Sequence, residues 1–268
     1  VTVSERYAEE LKSGKTLHQE YVQAVAKNAD KLCGTLNGIS ENFTPEGLFR
    51  EGMIPTTFSR ADLAGKRECH LRLQQQLGLP QDPEIPIVLW SQRLVQNKGI
   101  VEFSGGVVNQ IYSTPAQIVI FGKGDKSVER MFESKVSRFP NQLRYVRFSQ
   151  FNSVFEPSFI AGADIVVLPS HEEPCGLLML KAMRLGTLPL VRPVGGLGQV
   201  VRDGENGFVL PIAESIENAM GVKLLEVYRL FAENKDAWAG MRRLAMEFDS
   251  SWEAPTEKYL QVYRQLAA

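Results

Sequence analysis

Cysteine is scarce in this chain: Cys33, Cys69 and Cys175 are too few and too scattered for a disulfide framework, and no two of them form a CxxC pair. A reducing, cytoplasmic compartment is therefore the expectation. Histidine is equally thin, with only His18, His70 and His171, all far apart, so no His/Cys metal site is expected. No apolar run approaches the roughly 20 residues of a transmembrane helix. An excess of one charge is also missing, since 30 Lys and Arg stand against 31 Asp and Glu. Neither nucleic acid nor an anionic membrane is expected as a partner, and any basic site must be local. Internal repeats and low-complexity segments are absent. The chain begins at Val1 without the charged and apolar regions of a signal peptide. A start without Met reads as a processed or excised form.

What is present is ordinary for a globular protein: 44% apolar and 23% charged residues over 268 positions, enough for one large domain or one domain with appendages. Val1 to Ser4 reads as the end of a strand. Helices follow over Glu5 to Lys12, with Tyr7, Ala8 and Leu11 on one face, and over Leu17 to Lys27. Asn37-Gly38 reads as a turn. Residues 41–60, with Pro45, Gly47, Gly52 and Pro55, read as a loop-like linker. A helix over about Ala61 to Leu77 stops at Gly78.

From there strands and helices alternate. Strands are expected at Ile85 to Trp90, Ala116 to Phe121, Leu143 to Phe148, Ile165 to Leu168, Leu188 to Val191 and Gly207 to Leu210. Helices are expected from about Gly99, over Ser127 to Phe139, around Phe151 to Ala161, after Glu173, and throughout from Ala213. Repeated β-α units with near-continuous apolar strands predict an α/β fold, a Rossmann-like doubly wound parallel sheet with helical terminal segments.

The stretch around Leu168 to Met183 organises this pattern. Pro174 suits the first position of a helix, which would put Glu173 at the cap, aim the N–H groups of Cys175 to Leu177 over the strand end, and lay Leu177, Leu180 and Met183 on the sheet. Glu is not a usual cap, so another role for that carboxylate is open. Four features fall at carboxyl ends of strands: Arg93 with Lys98, Gly122 with Gly124, Glu173, and Gly195 with Gly196. In a doubly wound sheet these loops gather on one edge. A cation pair, glycine turns and a helix N-terminus suit a diphosphate. Gly122-x-Gly124 lacks the third glycine and distal acid of a dinucleotide fingerprint, and no GxxxxGK[ST] run exists. No paired-Asp metal motif is present either, which leaves the cations as the diphosphate's partners.

The run Ser91-Gln92-Arg93-Leu94-Val95-Gln96-Asn97-Lys98-Gly99, with Glu173-Pro174-Cys175-Gly176-Leu177, Ala182-Met183-Arg184, Gly186 and Gly195-Gly196-Leu197, resembles the bacterial glycogen synthase and starch synthase family. So do Asn37-Gly38-Ile39, Asp62-Leu63 with Lys66, and Gly78-Leu79-Pro80. The resemblance covers nearly the whole chain in order and spacing. It implies the C-terminal, donor-binding half of a GT-B glycosyltransferase: a retaining hexosyl transfer from a nucleotide diphosphate sugar, without a metal or other cofactor. By position, Arg93 and Lys98 match the basic pair on the departing diphosphate, and Glu173 matches the carboxylate on the donor sugar. The donor-binding set implied is Gly122, Gly124, His171, Cys175, Gly176, Leu177, Gly195, Gly196 and Leu197. Residues 1–40 read as a remnant of the N-terminal Rossmann domain, 41–60 as linker, 61–250 as the donor domain and 251–268 as a cross-over helix. In that helix Leu260, Val262, Tyr263 and Leu266 form the candidate packing stripe. The rest of the N-terminal domain is the implied partner, and this piece alone is expected to be inactive.

Some positions depart from the synthases. His171 and Glu172 replace Arg and Phe, Gln199 and Ser40 each replace Asp, and Phe43 replaces Trp. Val201 to Phe208 reads more like the broader retaining transferases that use GDP-mannose or UDP-glucose. Those enzymes often carry a second Glu eight residues after the first, where this chain has Lys181. The acceptor is thus an α-glucan or, in a specialised enzyme such as a bacterial effector secreted into a host cytosol, a protein. A non-catalytic nucleotide-sugar-binding module is the third reading.

Overall fold

The computed structural model describes residues 1–17, 19–106, 116–148, 155–211 and 215–267. His18, Ala213 and the first residues of the helix expected from Phe151 lie outside these. In chain order the helices are α1 (Glu5–Lys12), α2 (Gln19–Ala26), α3 (Pro45–Arg50), α4 (Ala64–Gln76), α5 (Ile100–Gly106), α6 (Lys126–Arg138), α7 (Phe155–Gly162), α8 (Leu177–Arg184), α9 (Gly195–Val200), α10 (Ile216–Glu233), α11 (Lys235–Glu247) and α12 (Glu253–Ala267). The strands are β1 (Ile87–Ser91), β2 (Gln117–Gly122), β3 (Leu143–Arg147), β4 (Ile165–Leu168), β5 (Leu188–Val191) and β6 (Phe208–Val209).

All six strands run parallel in the order β3-β2-β1-β4-β5-β6. The expected Rossmann-like sheet is therefore present. Ile87 to Trp90 and Ile165 to Val167 have no exposed surface, so helices cover both faces of the sheet, which is why these strands read as unbroken apolar runs. α4 lies against α7, α10 against α5, and α11 against α8. The order reverses between β1 and β4. The crevice where a doubly wound sheet takes its ligand therefore lies between the loops that leave these two strands.

A buried polar cluster fastens the other edge of the sheet. Asp164, just before β4, accepts from Ile87 N at 2.7 Å and from Arg242 Nη2 at 2.5 Å, and pairs with His70 Nδ1 at 3.1 Å. Nearby, Lys66 Nζ donates to Ala161 O, Ala163 O and Thr187 Oγ1 at 2.7–3.0 Å. Burial draws the Lys66 ammonium down to about 7. These bonds tie α4 and α11 to the starts of β1, β4 and β5, well away from the ligand edge.

Several local expectations are corrected. Val1 to Ser4 forms no strand, only a single bridge between Thr2 and Gly34. Asn37-Gly38 is no turn: the chain runs on past Ser251, so close that a side chain at Gly38 would meet that residue's backbone. Residues 41–60 contain α3, capped by Thr44 and opened by Pro45, and bury Leu48, Ile54 and Phe58 in the main core. In α12 only Pro255 is buried, and Leu260, Tyr263 and Leu266 are exposed. Val262, the fourth residue of the expected stripe, is half-buried. No described helix is long and apolar enough to cross a membrane.

Candidate active site

The loop after β1 is bent back by a short 3₁₀ turn, Gln96–Lys98, that ends at Gly99. Gly99 has φ +77°, and a Cβ there would stand 2.5 Å from Pro169 O. Only glycine allows both the left-handed backbone and this approach to the end of β4. His171 N then donates to Asn97 O at 3.0 Å, which locks the two loops together. Lys98 and Glu173 are thereby brought face to face, with Nζ 2.5 Å from Oε2 and each side chain 16% exposed.

They sit on a cavity of about 540 Å³ at the switch point between β1 and β4. That volume lies within the roughly 300–1,000 Å³ of small-ligand sites. Arg93, Lys98, Glu173, Cys175, Gly176 and Leu177 all line it. Burial pushes the Cys175 thiol up, so it contributes a neutral, apolar wall. Arg93 and Lys123 are exposed and Lys98 is half-buried, so the cavity presents two exposed cations and one already paired with a carboxylate.

The other predicted residues stand elsewhere. Gly122 and Gly124 lie behind the wall, where they let the strand end press on Gln92 and Leu94, and the Gly124 N–H is taken by Glu129 Oε1 at 3.0 Å. Gly195 N donates to the Glu10 carboxylate at 2.9 and 3.1 Å, and Gly196 N to Glu173 O at 3.1 Å. Side chains at either glycine would collide with the backbone of Glu173 or Cys175. Leu197 is fully buried against Gly176. These three brace the Glu173 loop from behind. His171 opens onto a neighbouring cavity of about 610 Å³ with Arg6, Glu10 and Glu172. Its Nε2 lies 2.8 Å from Glu102 Oε1 and its Nδ1 accepts from Arg192 Nη1 at 2.9 Å.

The helix start is also corrected. α8 begins at Leu177, not Pro174, because Gly176 is its cap with φ +84° and that left-handed residue interrupts any earlier helical turn. Glu173 is consequently not a helix cap. Leu177 is 45% exposed and faces the cavity, while Met179, Leu180, Ala182 and Met183 form the buried stripe.

Among the lining residues not anticipated as site residues are Gln92, Lys123, Phe148 and Glu156. Lys123 had a signal, since it lies between Gly122 and Gly124 at a strand end. Among the described residues no cluster of three His, Cys, Asp or Glu could hold a metal ion.

The family described as Glycosyl transferases group 1 matches residues 85–228. A glycogen synthase of Streptococcus agalactiae is 36% identical over 276 residues, covering 99% of this chain and 55% of the relative. One of Desulforudis audaxviator is 32% identical over 270 residues, covering 98% and 52%. The catalytic domain of starch synthase IV from Arabidopsis thaliana, solved with ADP and acarbose, is 26% identical with a TM-score of 0.85, over 98% of this chain and 55% of that one. The chain thus spans about half the length of these relatives. Its parallel six-stranded sheet, the cavity at the switch point and these matches lead to one assignment: the chain belongs to the glycosyl transferases group 1 family and has the fold of a GT-B C-terminal domain resembling those of glycogen and starch synthases.

Proposed function

We propose that this chain is the donor-binding half of a retaining, metal-independent hexosyltransferase of the glycogen and starch synthase type. The observation that carries the reading is the meeting of Arg93, Lys98 and Glu173 on one cavity at the switch point. When the bond between a hexose and a nucleoside diphosphate breaks, negative charge develops on the departing phosphate. Fixed cations in a partly enclosed site stabilise that charge more than water does. Arg93 offers a planar fork and Lys98 a point charge for this work, while Glu173 is the acceptor for hydroxyl groups of the sugar.

The relatives' identity as glycogen synthases supports an α-glucan acceptor over a protein, and transfer over mere binding. The ADP in the starch synthase structure makes ADP-glucose the first donor to test. The acceptor side and the remaining donor contacts belong to an N-terminal Rossmann domain, consistent with the share of each relative that is matched. A cytoplasmic setting follows from this reading and accords with the three free cysteines.

The test is sugar transfer by the full-length protein, offered ADP-glucose, UDP-glucose and GDP-mannose with glycogen. Transfer to glycogen supports the reading. Transfer only to a protein, or none from any donor, overturns it.

A further inference from the structure

The cavity holds a second carboxylate that neither the resemblance nor the proposed reaction assigns. Glu156 stands in the first turn of α7, 15% exposed, and lines the cavity with Lys123 and Phe148. Its Oε2 accepts from Lys181 Nζ of α8 at 2.5 Å, and Lys181 itself lies over the Phe43 ring, 5.4 Å from its centroid. An enclosed carboxylate held by a lysine that is itself packed against a ring is a fixed acceptor, unlike a mobile surface ion pair. The bond from Lys181 is to Oε2, and no described residue bonds Oε1.

The sheet order gives this carboxylate its place along the ligand. Glu173 and Lys98 follow β4 and β1, while Lys123 follows β2, and Phe148 and Glu156 follow β3 at the sheet edge. A donor whose sugar meets Glu173 and whose diphosphate meets Lys98 and Arg93 extends its nucleoside over β2 and β3. The nucleoside's vicinal ribose hydroxyls are donors in need of an acceptor. We propose that Glu156, set in place by Lys181, binds the ribose diol of the nucleoside diphosphate. Lys181 occupies the position where related transferases often carry Glu, so a carboxylate from α7 supplies the negative charge that α8 lacks. This proposal rests on the donor-site reading above.

The experiment is calorimetric titration of the chain with ADP, GDP, UDP, their 2′,3′-dideoxy analogues and inorganic pyrophosphate. Glu156→Gln, an isosteric change, is expected to weaken the preferred nucleoside diphosphate roughly tenfold, the scale of one charge-assisted hydrogen bond. It should leave pyrophosphate and the dideoxy analogue unchanged. Lys181→Met, which frees the carboxylate to move, should weaken the same ligand by a smaller factor, with thermal melting confirming that both variants fold. An equal loss for pyrophosphate, an equal loss for the dideoxy analogue, or no loss at all overturns the assignment of Glu156. If the wild-type chain binds neither pyrophosphate nor any nucleoside diphosphate, the donor-site reading falls and this proposal with it.

Discussion

Lys98 Nζ lies 2.5 Å from Glu173 Oε2, so the cation suited to a diphosphate is engaged by the carboxylate suited to the sugar. A bound donor therefore competes with each of them for its partner. Arg93 and Lys123, both exposed on the same cavity, leave it a positive surplus beyond that pair.

Glu173→Gln removes this competition for Lys98. Nucleoside diphosphate should then bind the chain about fivefold more tightly, on the order of 1 kcal/mol, while transfer by the full-length enzyme falls sharply. Calorimetry and an activity assay check the two halves separately. Unchanged or weaker binding would show that the ion pair does not oppose the ligand.

Arg93→Ala in the full-length enzyme should lower turnover by roughly a hundredfold or more, the scale seen when a fixed charge partner of the transition state is removed. Steady-state kinetics measures it. A wild-type rate would remove Arg93 from the proposed role.

Gly196→Ala drives a methyl group into the Cys175 backbone. The loop carrying Glu173 must shift, and stability should fall by roughly 1–3 kcal/mol, with nucleotide binding lost as well. Denaturant unfolding and calorimetry report the two effects, and a variant with unaltered stability and binding would contradict the packing described.

Asp164 is held well below the usual carboxylate range, against the cost of burial, by His70, Arg242 and the Ile87 N–H. Its folded value is depressed, so the unfolded chain takes up a proton first on acidification. The stability it contributes is full above about pH 4 and is lost as pH falls toward the folded value. Asp164→Asn should cost about 3–5 kcal/mol at neutral pH and flatten that acid limb in urea melts. An unchanged acid limb would count against the cluster's role.

The sheet was legible because β1, β2, β4 and β5 are covered on both faces and so read as continuous apolar runs; Ile165–Leu168 matches residue for residue. Helix starts were less so. Pro45 was read as a loop residue although it opens α3, and Pro174 as a helix start although Gly176 interrupts there. At α3 the Thr44 side chain caps the helix that Pro45 opens, whereas at α8 the left-handed backbone of Gly176 delays the start. Arg93, Lys98 and Glu173 could be found because they follow strands on the ligand edge. Gly195 and Gly196 carried a signal too, and both pack in close contact on the loop that bears Glu173. Glu156 gave no signal at all, since its place depends on how α7 meets α8.

The most direct measurement is calorimetric titration of the chain with ADP, GDP and UDP and their glucose and mannose conjugates, for wild type and for the Arg93→Ala, Lys98→Ala double variant. The account predicts binding that weakens with salt, favours ADP and ADP-glucose, and disappears in the double variant. Binding that survives loss of both cations would place the nucleotide elsewhere and contradict the account.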